Sequence, residues 1–561
     1  MTSVLTGVPV SSGRAAGIVV TMPAPVAEPP VTTLTDDADL DQAADSVAAA
    51  VTAVTTDLTE RAGRATGASA DVLTMTAAMA ADPSLSADAV RRIRDERATP
   101  ARAVWDAAQQ AAATLESLGG YMAERARDVR DVRDRLVAHL TGQRQPGVPD
   151  PGHPFVLVAH DLAPADTATL NPETTLAIVT GSGGPTSHTA ILARALGIPA
   201  VVAVAGSESL ADGDTVLVDG AAGTVDTAPA PDAVAALAGK RPERRTFSGE
   251  GRLADGTRVE LLANVADGAA AQAAAASGAE GVGLFRTEFL FLGRDTEPTV
   301  AEQTEAYAAV LAAFAGHKVV IRTLDAGADK PLPFLTADGE PNPALGVRGL
   351  RTSWAHPDVL ERQLDAIAAA AAAQPQTTVW VMAPMVATPD EAAGFVERCQ
   401  AHGLEQAGVM VEVPAAALRS RWVFEHARFA SLGTNDLTQY AMAADRELGD
   451  LAQLSTPWQP AVLDLIAATC AGAQASEGGR PVGVCGEAAG DAVLAAVLVG
   501  LGVTSLSMTP TALGDVAAVL AATTSDRCAQ VAAIARDARD AAAARTAVRE
   551  ALADVLEPLG L

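Results

Sequence analysis

The sequence predicts a multidomain α/β protein: an α/β domain interrupted by an inserted helical subdomain, followed by a C-terminal (β/α)8 TIM-like barrel. Three observations predict it. At 561 residues the chain exceeds what one hydrophobic core serves. An Ala-rich stretch with heptad-like apolar positions separates glycine-punctuated apolar runs at the N-terminus from similar runs that follow it. Beyond residue 250, eight short apolar runs recur between helical stretches, the alternation of a closed barrel.

Taken in order, the first twenty residues, with Gly7, Gly13 and Gly17 as turns or close approaches, read as a strand pair. From about Thr35 to Gly142 the chain has few glycines and mixed charge, as in RARDVRDVRDRLVAHL, and reads as hairpins of long helices. PGVPDPGHP, from Pro146 to Pro154, is a linker by composition. FVLVA, LAIVT, PAVVAVA and DTVLVDG then read as strands around helices, so the helical part is an insertion within one discontinuous domain. The expected boundaries are 1–30 with 143–226 for that domain, 31–142 for the helices, 227–250 for a connecting helix and hinge, and 251–561 for the barrel. The barrel strands are read in VELLANV, GVGLF, KVVIRTL, VWVMAPM, GVMVEV, FASLGT, PVGVCG and TSLSM.

Composition narrows the function. Hydrophobic residues make up 49% of the chain but aromatics only 3%, so Ala, Val and Leu must fill the cores. With 40 Lys and Arg against 68 Asp and Glu, the net charge of -28 disfavours nucleic acid and anionic membranes and favours a basic protein partner. Four widely spaced cysteines without a CxxC pair are poor material for disulfides or structural zinc, which fits a reducing cytoplasm. No apolar run is long enough to span a bilayer, and the N-terminus lacks the pattern of a signal peptide, so no direct membrane insertion is expected.

Barrel enzymes keep their chemistry where strands end. The strand ends here are polar: Asn264, Arg286 with Glu288, Arg322 with Asp325, Glu412, Asn435 with Asp436, and Cys485 with Glu487. Arg286, Arg322, Arg348 and Arg446, with Lys330, could grip a small acidic substrate bidentately, although each alone could be a surface ion pair. Glu412 and Asp436 suit magnesium or serve equally as caps and arginine partners; both readings stand at this point. A buried, inert Cys485 is the default for a lone cysteine. In the first half, His188 follows Gly183 and Gly184 and precedes the helical TAILARALGIPA, so an anion on its ring would meet a helix N-terminus beside Thr186 and Ser187. That spacing alone does not decide its role.

Together the motifs resemble one family, Enzyme I of the bacterial phosphoenolpyruvate (PEP)-dependent sugar phosphotransferase system. GGPTSHTAILARALGIPAVV is similar to its phosphohistidine signature, GLFRTEFLF and RTLDAGADKPLPF to its first two arginine motifs, and NPALGVRGLR to its third. GVMVEVPAAA, SLGTNDLTQYAMAADR and GVCGEAAGD resemble its magnesium, substrate and cysteine motifs, all in family order. The resemblance implies a swivelling phosphohistidine domain in which His188 attacks the phosphorus of PEP, steadied by Thr167. It implies that Arg286 and Arg322 hold the phosphoryl group, with Arg348 and Lys330 adding charge. Arg446 and Asn435 would fix the substrate carboxylate relative to Mg2+ on Glu412 and Asp436, and Cys485 would protonate the enolate to give pyruvate. It further implies that the helical subdomain docks the phosphocarrier HPr and that the barrel forms a homodimer. The sequence departs from the family twice: VLTMTAAMAADPSL keeps Asp-Pro without the usual upstream histidine and acidic residue, and Gly327-Ala328-Asp329-Lys330 replaces Gly-Gly-Asp-Lys. The rivals are the related dikinases and PEP synthases, which need an ATP-binding domain not read here, and a non-catalytic scaffold, against which the intact motifs argue.

Overall fold

The computed structural model describes residues 4–23, 26–64, 68–118, 120–162, 170–184, 187–237, 245–327, 331–336, 340–446, 448 and 451–561. Thr167 and Lys330 lie outside them, and of His188 only the backbone is described.

The N-terminal apolar runs form three strands rather than a pair: β1 (Val4–Thr6), β2 (Val8–Ser11) and β3 (Arg14–Thr21). They do not pair with one another. Five strands from further along receive them: β4 (Phe155–Ala159), β5 (Thr175–Thr180), β6 (Ala200–Val202), β7 (Thr215–Asp219) and β8 (Thr224–Asp226). The sheet order is β1-β8-β7-β3-β4-β5-β6-β2, parallel from β3 to β6 and antiparallel elsewhere. Alternation along β4 explains its two faces. Phe155, Leu157 and Ala159 pack with Ala190 and Ala193, whereas Val156 and Val158 pack with Val179, Val201 and Val218 on the other side. Gly17 is small because the sheet leaves no room: a Cβ there would stand 2.7 Å from Leu176 Cδ1.

Between β3 and β4, which are sheet neighbours, the chain makes helices α1 (Ala38–Arg64), α2 (Ala68–Ala80), α3 (Pro83–Glu96), α4 (Pro100–Leu118) and α5 (Gly120–Thr141). Their core is filled as the composition requires, by Ala50, Ala103, Ala107, Val47 and Leu136 among others. The Asp-Pro step has a local cause: Asp82 caps α3, accepting the Ser84 N–H at 2.8 Å, and Pro83 takes the first helical position. Arg133 lies over the Trp105 ring at 3.7 Å and fixes α5 against α4.

The eight barrel strands fall where the apolar runs lie: β9 (Glu260–Val265), β10 (Gly281–Arg286), β11 (Lys318–Arg322), β12 (Thr378–Ala383), β13 (Ala407–Val411), β14 (Ala430–Leu432), β15 (Val482–Val484) and β16 (Ser505–Met508). All pair in parallel, and β16 closes onto β9. The four cysteines are buried and free. No helix among the described residues is long and apolar enough to cross a membrane.

Candidate functional site

At the C-terminal ends of the barrel strands a cavity of about 830 Å³ opens, and both halves of the chain line it. Arg286, Glu288, Arg322, Asp325, Glu412, Asn435, Asp436, Arg446 and Cys485 contribute from the barrel side. The strand-end residues singled out in the sequence thus share one wall.

Arg322, 6% exposed, is the centre of its charge network. It donates to Glu288 at 2.6 Å and pairs with Asp325 at 3.1 Å. Burial works against its charge, but Glu288, Asp325 and Glu412 outweigh that and keep the guanidinium firmly protonated. Arg286 is different. Burial, and then neighbouring Arg322, lowers its proton affinity against the pull of Glu288, and its Nε, like that of Arg322, is buried without a hydrogen-bond partner. Both arginines line the cavity, where an incoming anion would meet their guanidinium groups.

Arg348 stands behind this wall rather than on it. It is 1% exposed, and its guanidinium pairs with Asp436 at 3.3 Å and Asp325 at 3.5 Å. It braces the acids that face the cavity. Asp436, in the first turn of the helix Thr434–Met442, also meets Arg446 at 3.5 Å. Asn435 beside it accepts the Glu487 N–H at 3.1 Å, joining the loops after β14 and β15.

Glu412 is buried at the end of β13 and accepts the Met385 N–H at 2.6 Å. Its carboxyl is held far above the usual range, first by burial and then by Asp436 and Asp325; Arg322 and Arg348 pull it back only in part. Carboxylates crowded this way favour a cation between them. Space for one is kept by glycine, since a Cβ on Gly433 would stand 2.6 Å from Glu412 Oε2. No group of three or more His, Cys, Asp and Glu suited to a metal occurs among the described residues. A cation held by Glu412 and Asp436 would therefore draw its remaining ligands from substrate and water, which suits a small hard ion.

Cys485 follows β15 in the cavity wall, with Sγ 3.6 Å from the Leu432 carbonyl. Burial pushes its thiol up to about 11, partly offset by Ser431 and Arg322. It is a protonated thiol at neutral pH, fit to give a proton and poorly fit to act as a nucleophile.

The first-half sequence motif reaches the same cavity. Helix α6 (His188–Leu196) opens at His188, with Ser187 as N-cap accepting the Ala190 N–H at 3.3 Å. Arg194 on α6 donates to Glu487 at 2.7 Å, and Thr511 donates to the Arg194 carbonyl at 2.9 Å. A Cβ on Gly184 would stand 3.4 Å from the Arg446 carbonyl oxygen, so the glycine loop also abuts the mouth. Arg194 and Thr511 were not singled out in the sequence. An arginine late in a helix reads as surface charge, and only the contact between distant segments gives it a partner.

An eight-stranded α/β sheet domain and a barrel whose mouth gathers arginines, carboxylates and a buried thiol define a class, that of the PEP-utilising enzymes. Residues 6–125, 151–223 and 242–525 match the N-terminal, mobile and PEP-binding domains of that class in order. A phosphoenolpyruvate-protein phosphotransferase of Streptomyces coelicolor is 50% identical over 559 residues, covering 98% of this chain and 100% of that protein. Proteins of the same name from Haloferax volcanii and Staphylococcus carnosus are 43% and 39% identical, over 73% and 77% of this chain and 74% and 78% of theirs. The chain belongs to this family, the Enzyme I group of phosphoenolpyruvate-protein phosphotransferases.

Proposed function

We propose that the protein takes a phosphoryl group from PEP onto His188 and passes it to the phosphocarrier HPr, the first step of sugar uptake by a phosphotransferase system. One observation carries this reading. The helix that opens at His188 is bonded, through Arg194 and Glu487, to the wall of the cavity that holds Arg286, Arg322, Glu412, Asp436 and Cys485.

Phosphoryl transfer is chiefly positioning and charge neutralisation. Arg286 and Arg322 grip the phosphoryl oxygens, with Lys330 adding charge and Arg348 bracing the acids behind. Arg446 and Asn435 hold the substrate carboxylate. Mg2+ on Glu412 and Asp436 would neutralise charge on the phosphate and carboxylate oxygens. A nitrogen of His188, oriented by Thr167, attacks phosphorus as the bond from phosphorus to the enol oxygen breaks. The electrons of that bond form the enolate, whose methylene carbon takes the proton of Cys485 to give pyruvate. The thiolate left behind, disfavoured by burial, regains a proton from solvent.

The same reading divides the chain into a phosphohistidine domain of residues 1–30 and 143–226, an HPr-docking subdomain of 31–142, a hinge of 227–250 and a barrel of 251–561. Leu345, Val347 and Trp354 are exposed on the barrel, apolar surface of the kind that a homodimer through the barrel would cover. A cytoplasmic setting suits four free thiols. Incubation with labelled PEP and Mg2+ is expected to give an acid-labile, base-stable phosphoprotein that discharges to added HPr. Label retained on a His188→Ala variant would sink the assignment.

A further inference from the structure

Arg194 and Glu487 come from opposite halves of the chain. Arg194 lies on α6, where it also donates to the Val10 carbonyl at 3.2 Å and is thereby fixed to β2 of its own sheet. Glu487 lies in the loop after β15, two residues past Cys485 and with its N–H on Asn435. Their 2.7 Å bond is half-buried at the join between the two bodies. Burial raises the Glu487 carboxyl, and Arg194 is foremost among the three arginines that pull it back, ahead of Arg446 and Arg286.

We propose that this pair is the latch of the loading geometry: it holds the His188 domain at the barrel mouth and sets the loop that carries Cys485, together with its bond to Asn435. Both are positioning residues. The coupling is steric as well as ionic, since a Cβ on Gly486, between Cys485 and Glu487, would stand 2.0 Å from Thr434 Oγ1, leaving the loop no slack. A pull on Glu487 is therefore felt at Asn435 and Cys485. When the domain leaves to pass its phosphoryl group on, Glu487 loses its main counter-charge, and water entering the join takes Arg194's place.

This inference rests on the loading of His188 at the barrel mouth, and the test separates the two. Single-turnover phosphorylation by PEP and Mg2+, with PEP affinity measured alongside by calorimetry, is compared for wild type, Arg194→Gln, Glu487→Gln and the double variant. Loss of a charge-assisted bond is expected to slow loading in Arg194→Gln by about tenfold or more, with PEP affinity changed by less than the loading rate. The double variant is then no slower than the slower single one, because the bond is lost only once. Arg194→Lys with Glu487→Asp serves as a second cycle if the glutamine variants do not fold. Wild-type loading by Arg194→Gln, or effects that multiply in the double variant, overturns the latch. Label retained on His188→Ala overturns the reading beneath it instead.

Discussion

Arg322 sits among more negative charge than it can neutralise alone, with Glu288, Asp325 and Glu412 all acting on one buried guanidinium. Removing it leaves the buried Glu288 without the guanidinium bonded to it and leaves Asp325 and Glu412 to Arg348 alone. Breaking such a pair costs about 3–5 kcal/mol, so Arg322→Met should lower the stability of the barrel by about that amount in urea denaturation. An unchanged midpoint would mean that water reaches these acids freely. The residue scale is also where the sequence was most informative. Arg286, Arg322, Glu412, Asp436 and Cys485 were legible because each ends an apolar strand, and a barrel gathers strand ends at one mouth. What spacing could not tell was which arginine lines the cavity. Arg348 is bonded to two aspartates behind the wall, whereas Arg286 lines the cavity.

Among elements, the loops after β14 and β15 have the least tolerance. Gly486 lets Thr434 approach so closely that any side chain must displace one loop from the other. Gly486→Ala should break the contact between Asn435 and Glu487 and reduce pyruvate formation on the order of 100-fold, the scale expected for an ångström of misplacement at a reacting centre. Steady-state turnover checks this, with circular dichroism to show that the fold persists; turnover within twofold of wild type would contradict it. The barrel strands could be read one by one because each is a short run of Val, Leu, Ile or Ala between helices. The first twenty residues could be read only as strands. Alternation fixes which side chains share a face, not which strand lies alongside, and so the expected pair became three strands with partners elsewhere in the chain. Thr224–Asp226 was too short to register at all.

For the molecule as a whole, the excess of acid sets the terms of encounter. A net charge of -28 should draw in a basic carrier protein, and that attraction is screened by salt. The second-order rate of transfer from phosphorylated protein to its carrier should fall roughly tenfold between low and high ionic strength, as rapid-quench measurements can test, while loading from PEP changes less. A transfer rate indifferent to salt would exclude steering. The contact between the two halves was the part least legible in advance. It is made by side chains that look ordinary in their own segments and acquire meaning only when α6 meets the barrel.

The pairing of β1 with β8 has a consequence for how the chain is made. Val4 lies opposite Asp226, so β1 has no neighbour until more than two hundred further residues have been added. At about 5–20 residues per second, that wait lasts roughly ten to forty seconds. During it, α1 to α5 can complete the core they form with one another, while β3 waits for β4 and β2 for β6. β1 is therefore the edge left open longest, and the helical insertion can fold before the sheet that encloses it is complete.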